Sequence, residues 1–260
     1  QAGLNMERIF AAGKDPADAG HVNFVTRLTG ELIGRLPFER QGDACLDHTP
    51  TPLRNLSQHR FEPILADELR ASPGAELRYR HQWQESHEVT VDGTTTVVSE
   101  VTDLTSDSTL TVRSRFLIGC DGAGSRVRKQ LGIEMNGPPL IQCYLMIHFH
   151  ANLRAATAER PGVLHFVLDP AAPGAFIAHD VESEWVFMHS FDPSSESLDD
   201  YDTQRCRAVI DDAAGCELNA EIVGASTWWM SAQTAQSMGG GHTYLAGDAA
   251  HRFPPTGGLG

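Results

Sequence analysis

The sequence lacks an excess of positive charge, a long apolar run and any closely spaced pair of cysteines. It has 20 lysines and arginines against 34 aspartates and glutamates, so the net charge is −14. Nucleic acids and anionic membrane surfaces repel such an acidic chain, so we expect neither as a partner. No run of about 18 apolar residues occurs, which argues against a membrane-spanning helix.

The cysteines give no indication of a metal site. The five cysteines are an odd number, lie far apart and include no C-x-x-C pair. This pattern is typical of reduced thiols in a cytoplasmic protein, and it supports neither a disulfide framework nor a zinc site. The first ten residues have neither a basic leader nor an apolar signal core. The absence of a G-x-S-x-G motif disfavours a serine hydrolase.

Apolar periodicity predicts an α/β fold in which many strands alternate with a few helices. Turns at Asp92-Gly93 and Ser106-Asp107 divide residues 75–119 into a β-meander. The tryptophans of segment 228–230 are expected to pack in a core or between domains. The predicted helices are 4–12, 61–70 with Ser57 as its N-cap, 126–131 and 201–213, and the other predicted strands are 22–28, 31–36, 116–119, 140–150, 163–168, 176–179, 185–189 and 243–246.

The first motif with chemical meaning follows the predicted strand 116–119. It reads Asp121-Gly122-x-x-Ser125-x-x-Arg128. A tight turn at glycine followed by a capped helix start places backbone N–H groups, a carboxylate and a guanidinium around one small volume. Taken alone, the motif also fits an ordinary strand-turn-helix corner with a capping serine.

The second motif follows a predicted edge strand and reads GDAAHRFPPTGGLG from Gly247 to Gly260. A carboxylate such as that of Asp248, at the C-terminal end of a strand, can accept hydrogen bonds from ribose or ribityl hydroxyls. The glycines allow backbone to approach a planar ring or a pyrophosphate. A glycine-rich surface turn is the alternative, but the many fixed residue types make this motif much more specific than the first. His251 is expected to hold the loop rather than act as a base.

The segments GCDGAGSRVR and GDAAHRFPPTGGLG resemble the second and third fingerprints of the single-component FAD-dependent aromatic hydroxylases, the para-hydroxybenzoate hydroxylase type. GLNMERIF and SQHRFEPIL are similar to the same family, so the likeness spans nearly the whole chain. The resemblance implies an α/β fold with a discontinuous, Rossmann-like FAD-binding domain and an inserted, mostly β substrate-binding domain. The implied FAD-binding segments are 1–19, 50–137 and 242–260, and the implied substrate-binding segments are 20–49 and 138–241.

The resemblance also implies roles for individual residues. Asp121 would lie near the FAD pyrophosphate and along the approach of the nicotinamide cofactor, supported by Ser125 and Arg128. Asp248 would hydrogen-bond the ribityl chain, and the stretch 255–260 would lie beside the isoalloxazine. The implied cofactor-binding residues are Gln58 on the adenosine side, Asp121, Gly122, Ser125, Arg128, Gly247, Asp248, Pro255, Gly257, Gly258 and Gly260.

An enzyme of this family would reduce FAD with NAD(P)H and use O2 to hydroxylate an electron-rich ring, a phenolic or polycyclic small molecule. The sequence identifies no catalytic residue, and it leaves the substrate, the choice between NADH and NADPH and the oligomeric state open. Two alternatives remain: a non-catalytic scaffold or binding module, and a relative that is a flavin halogenase or reductase.

Two departures from the family pattern lead to a further expectation. No strand–glycine–helix unit with G-x-G-x-x-G is present, and the third fingerprint stops at Gly260, where a helix should begin. We therefore expect that the FAD-binding domain is incomplete in this chain. We also expect this chain alone to purify without flavin colour and to lack hydroxylase activity.

Five histidines follow the predicted strands of the middle region: His148, His150, His165, His179 and His189. No cysteine or carboxylate completes a recognisable ligand spacing with them, so no metal site is predicted. Solvent-facing or hydrogen-bonded histidines on a sheet are the expected outcome. The resemblance implies that this sheet is the floor of the substrate cavity.

Overall fold

A computed structural model of the chain describes residues 3–38 and 43–255. The described residues form two compact units. The first consists of the described parts of Gln1–Glu76 and Cys143–Trp228, and the second of those of Leu77–Gln142 and Trp229–Gly260. Helices and sheets are both present, which confirms the α/β class. The division into compact units does not test which segments bind FAD and which bind the substrate. That assignment stays a prediction.

The secondary structure of the described residues comprises helices, strands and three short 3-10 helices. The helices are α1 (Met6–Ala12), α2 (Pro16–Ala19), α3 (Gln58–Ala71), α4 (Arg126–Gln130), α5 (Arg154–Thr157) and α6 (Thr203–Ala214). The strands are β1 (His21–Val25), β2 (Leu32–Pro37), β3 (His81–Val91), β4 (Thr94–Asp103), β5 (Ser108–Ser114), β6 (Leu117–Gly119), β7 (Met135–Asn136), β8 (Gln142–His150), β9 (Leu164–Val167), β10 (Gly174–Asp180), β11 (Glu184–Ser190), β12 (Glu221–Met230), β13 (Gln233–Ala235), β14 (Gly239–Gly240), β15 (Thr243–Leu245) and β16 (His251–Arg252). The 3-10 helices are Asp43–Asp47, Leu198–Asp200 and Gly247–Ala249.

A seven-stranded sheet in the order β12-β8-β11-β10-β9-β1-β2 forms the first unit. Strand β1 runs parallel to β9, whereas β8, β11, β10 and β9 pair antiparallel in succession. Side chains alternate between the two faces of each strand, and those on one face of the sheet pack into the core. This core also contains buried residues of α6. Its largest fully buried side chains are Trp185, Phe149, Phe176, Phe187, Leu28, Leu145, Ile147 and Ile210.

The opposite face of this sheet is apolar yet only partly covered. Directly paired residues of five neighbouring strands form a single row across it, which we call the apolar row. In strand order its members are Phe24, Phe166, Ala175, Met188 and Met146. Ala175 is buried, and the other four side chains are half-buried.

The second unit contains three small sheets. The predicted β-meander is confirmed as β3-β4-β5, and its first turn has positive φ at Asp92 (49°) and Gly93 (74°), as a type I′ hairpin requires. Strand β15 was predicted to lie at an edge, and this prediction is wrong. It lies between β14 and β6, because the chain turns back at Gly241 to pair β14 with β15.

Strand β12 was missed in the sequence analysis. Gly224, Ser226 and Thr227 interrupt its apolar alternation, which hides the strand pattern. Trp229 is 52% exposed, so it is not a core residue, and the Trp228 ring instead stacks on Tyr144 at 5.7 Å. Among the described residues, no helix has both the length and the hydropathy that a membrane span requires.

Helix α3 also differs from its prediction. It begins at Gln58, directly after Ser57, but the Ser57 side chain makes no capping hydrogen bond. Among the apolar residues of this helix, Ile64 is buried, whereas Leu65 and Leu69 are more than a third exposed.

Acidification should destabilise the first unit through His165. This residue is fully buried in β9, its Nε2 donates to the Arg160 carbonyl at 3.1 Å, and burial lowers its pKa from 6.5 to about 4. The unfolded chain therefore binds this proton more readily, and stability falls as the pH drops from about 6.5 towards 4. At pH 5 the loss should be about 2 kcal/mol relative to pH 7. Urea denaturation at both pH values measures it.

The matched variant is His165→Gln, whose amide can still donate to the Arg160 carbonyl but does not titrate. Its stability should change less between pH 7 and pH 5 than that of the parent. An equal loss in both proteins would show that His165 is not the responsible group.

Candidate functional site

The two sequence motifs follow neighbouring parallel strands. Strand β15 pairs in parallel with β6, with Leu245 opposite Gly119. Just beyond the paired residues, the Ala246 amide donates to the Gly119 carbonyl at 3.0 Å. At its carboxyl end, β6 leads into the Asp121-Gly122 turn, and β15 leads into the Gly247-Asp248 turn. This edge of a parallel pair is where open α/β sheets bind their ligands.

Asp121 organises the first turn. Its Oδ1 accepts from the Ser125 hydroxyl at 2.5 Å, and its Oδ2 accepts from the amides of Arg126 at 2.7 Å and Val127 at 3.1 Å. Partial burial raises the pKa of this carboxyl, but these hydrogen bonds outweigh burial and hold the pKa below its usual value. The carboxylate is therefore fully engaged at the start of α4.

Ser125 continues this network and confirms its predicted capping role. Its hydroxyl oxygen accepts from the Arg128 amide at 3.0 Å while its proton goes to Asp121. Asp121 and Ser125 thus accept hydrogen bonds from amides at the start of α4 that lack partners within the helix. Asp121 reaches Arg128 only through Ser125, since the two side chains share no hydrogen bond or ion pair among the described contacts.

Arg128 joins the two motifs. Its side chain is buried, and the guanidinium donates to the Ala249 carbonyl at 2.8 Å and to the Ala123 carbonyl at 3.0 Å. One of these carbonyls belongs to the second motif and the other to the first. Arg128 therefore holds the turns after β6 and β15 together from within the protein.

Two glycines give these turns their shape. Gly122 has a φ of +75° and Gly247 a φ of +59°, in the left-handed region that favours glycine. No heavy atom lies within 4 Å of where a Cβ would be at either residue. The backbone conformation, rather than lack of space, requires glycine here, and the open side leaves both turns approachable.

Asp248 differs from Asp121 in the hydrogen bonding of its carboxylate. It is exposed in the 3-10 helix Gly247–Ala249, immediately after β15. Within the part of the chain that the structure describes, its carboxylate has no hydrogen-bond or ion-pair partner. It can therefore accept hydrogen bonds from hydroxyl groups of a ligand.

The structure describes two of the remaining predicted residues, Gln58 and Pro255. Gln58 begins α3 in the first unit, where its exposed amide donates to Glu62 at 2.5 Å. Pro255 is exposed and is the last residue that the structure describes. Gly257, Gly258 and Gly260 lie outside the described residues. Contact of any of these residues with FAD stays a prediction.

Two parallel strands thus carry a capped Asp-Gly turn and a Gly-Asp turn with a free aspartate, an arrangement suited to a flavin dinucleotide. The residues fit that cofactor, because the free Asp248 carboxylate suits ribityl hydroxyls and the open glycine turns suit close backbone contact. The whole chain, residues 1–260, matches the family described as FAD binding domain. The chain belongs to this family.

Individual relatives are named as monooxygenases. The chain is 31% identical to 2,4-dichlorophenol 6-monooxygenase of Cupriavidus pinatubonensis (strain JMP 134 / LMG 1197), over 99% of this chain and 44% of the relative. It is 34% identical to tetracenomycin A2 monooxygenase-dioxygenase of Streptomyces glaucescens, over 82% of this chain and 38% of the relative.

Solved structures show the same fold. The flavin-dependent monooxygenase PieE in complex with FAD and substrate has a TM-score of 0.86 and 28% identity, covering 98% of this chain and 45% of PieE. The ternary complex of aklavinone-11 hydroxylase with FAD and aklavinone also has a TM-score of 0.86, with 26% identity, covering 98% of this chain and 48% of the hydroxylase. The chain spans less than half the length of these curated relatives and solved structures.

The sequence analysis did not single out the apolar row. Alternation along each strand shows which residues share a face, but it does not show which strands are neighbours or in which register. The five members come from separate strands, so no short segment of the sequence contains the row.

Proposed function

We propose that the whole protein is an FAD-dependent monooxygenase that hydroxylates an aromatic ring with NAD(P)H and O2. One observation carries this proposal: the Asp121-Gly122 and Gly247-Asp248 turns meet at the carboxyl ends of β6 and β15, are joined through Arg128, and leave the Asp248 carboxylate free. The names of the relatives, which are monooxygenases and hydroxylases, support the reaction class.

The chain's own residues would bind and position the cofactor. Asp248 would accept hydrogen bonds from the ribityl hydroxyls, and Gly247 would allow the cofactor to approach the backbone. Asp121, Ser125 and Arg128 would keep the first turn in shape. When bound, FAD supplies the redox chemistry and the activation of oxygen.

The apolar row would bind the aromatic substrate. At the usual strand spacing of about 4.8 Å, five strands give a surface about 19 Å across. A stacked aromatic pair lies at one end, with Phe24 and Phe166 at 5.4 Å, and another, Tyr144 with Trp228 at 5.7 Å, lies beyond Met146 on the other side. This surface is wider than a single aromatic ring, which favours a substrate of several fused rings. The half-buried side chains would exclude water and orient the ring system.

Replacing Asp248 by alanine in the whole protein tests the cofactor site. We expect FAD binding to weaken by about 1–3 kcal/mol, roughly a 5- to 150-fold rise in Kd, because a partner of the ribityl hydroxyls is lost. Flavin absorbance retained during dialysis and a fluorescence titration measure the effect. Asp248→Asn keeps one acceptor oxygen and should lie between the parent and the alanine variant.

The same preparations test the reaction. The parent should consume NAD(P)H and O2 and yield a product heavier by one oxygen atom, with multi-ring phenols preferred over single-ring phenols. Equal flavin retention in the parent and Asp248→Ala would contradict the assigned role of Asp248. A flavin-loaded parent that oxidises NAD(P)H but hydroxylates no phenol would contradict the proposed reaction.

A further inference from the structure

Three histidines surround one glutamate at an end of the seven-stranded sheet. His148 lies on β8, His179 on β10 and Glu184 on β11, while His59 is the second residue of α3. The distances to the Glu184 carboxylate are 3.0 Å from His148 Nε2, 3.2 Å from His59 Nε2 and 3.8 Å from His179 Nδ1. We call these four residues the His-Glu cluster.

Hydrogen bonding within the protein does not account for the whole cluster. Glu184 is only 8% exposed, and its carboxylate is partnered by His148, His59 and Arg60. Nδ1 of His179 is buried and has no hydrogen-bond partner, since 3.8 Å to the carboxylate is too long for one. A buried imidazole nitrogen left unpaired beside a carboxylate has the donor chemistry of a metal ligand.

We propose that His59, His179 and Glu184, with His148 as a hydrogen-bond partner of Glu184, bind a divalent transition-metal ion of the zinc type. The ligand atoms of the first three all lie within 4.8 Å of one another. Around a tetrahedral zinc with bonds of about 2.0–2.2 Å, ligand atoms lie about 3.3–3.6 Å apart. The His59–Glu184 separation of 3.2 Å is close to this range, and His179, at 3.8 Å from Glu184, would have to move inward.

Neighbouring positive charge does not prevent binding. Arg60 lies 3.4 Å from Glu184, but its Nη2 is equally 3.4 Å from the Asp180 carboxylate. An ion at Glu184 can therefore displace Arg60 without leaving the guanidinium unpaired. The Lys14 ammonium donates to the Ala178 carbonyl instead of to the cluster.

The ion would connect α3 to β10 and β11, because its ligands come from these three elements. His148 on β8 would hold the Glu184 carboxylate through a hydrogen bond. On β8, His148 is two residues from Met146 of the apolar row and lies on the same face. Metal binding would thus stabilise the strands at the border of the apolar row. This inference does not depend on the proposed monooxygenase activity, because it concerns binding of the metal alone.

The experiment uses the chain after dialysis against a chelator. Titration with Zn²⁺ by calorimetry should show one equivalent bound with micromolar or tighter affinity. Co²⁺ in place of Zn²⁺ should produce a visible absorption band of a nitrogen- and oxygen-ligated site. His59→Ala removes a half-exposed helix side chain, so folding should be unaffected, and the affinity should fall by more than about tenfold. Glu184→Gln should have a similar effect.

The matched control is His189→Ala, on the same strand as Glu184 but outside the cluster, where Nδ1 pairs with the Pro173 carbonyl. Its affinity for Zn²⁺ should equal that of the parent. Absence of a stoichiometric Zn²⁺ site would overturn the proposal. An affinity that is the same in the parent, His59→Ala and Glu184→Gln would do so too, because the ion would then bind elsewhere.

Discussion

Replacing Arg128 by alanine should lower the free energy of unfolding of the second unit by about 3–5 kcal/mol. The guanidinium is 6% exposed and supplies the donors for the carbonyls of Ala249 and Ala123. Truncation removes two charge-assisted hydrogen bonds, leaves both acceptors without their donor and opens a cavity. Urea denaturation measures the change in the free energy of unfolding. Hydrogen exchange of the Ala246 amide, whose hydrogen bond joins β15 to β6, measures the change at this site.

Arg128→Lys is the matched variant for this prediction. Lysine keeps the charge but lacks the planar fork, so it can serve one carbonyl well and not both. We expect its stability to lie between those of the parent and Arg128→Ala. A loss below about 1 kcal/mol in Arg128→Ala, the range of an exposed polar contact, would show that Arg128 does not join the two motifs.

Asp121→Ala should destabilise the same unit by about 2–4 kcal/mol, because three donors lose their acceptor at once. These donors are the amides of Arg126 and Val127 and the Ser125 hydroxyl. The melting temperature should fall accordingly, and Asp121→Asn, which keeps one acceptor oxygen, should restore part of the loss.

The same variant separates two roles of Asp121 in the whole protein. The resemblance to the aromatic hydroxylases implies that this residue also shapes the path of the nicotinamide cofactor. A carboxylate repels that anionic cofactor, so any such effect must come from the amides and the Ser125 hydroxyl that it holds. We expect the FAD-loaded variant to be reduced more slowly by NAD(P)H in stopped-flow experiments. An unchanged reduction rate with a lower melting temperature would leave Asp121 a purely structural residue.

Local patterns in the sequence were sufficient for several features. The motifs at Asp121-Gly122 and Gly247-Asp248, the capping by Ser125 and the hairpin at Asp92-Gly93 depend on residues a few positions apart, so the chain chemistry specifies them without knowledge of the fold. The alternation of apolar residues predicted most strands for the same reason. The family followed from the two motifs, and the match over residues 1–260 confirms it.

Tertiary structure decided what depends on neighbours that are distant in the sequence. Strand pairing placed β15 between β14 and β6 and brought Ala249 within reach of Arg128. The apolar row and the His-Glu cluster each collect one residue from each of several elements, so no sequence window contains either of them. The physical reason is that sequence periodicity specifies the face on which a side chain lies, whereas only strand order and register specify what lies beside it.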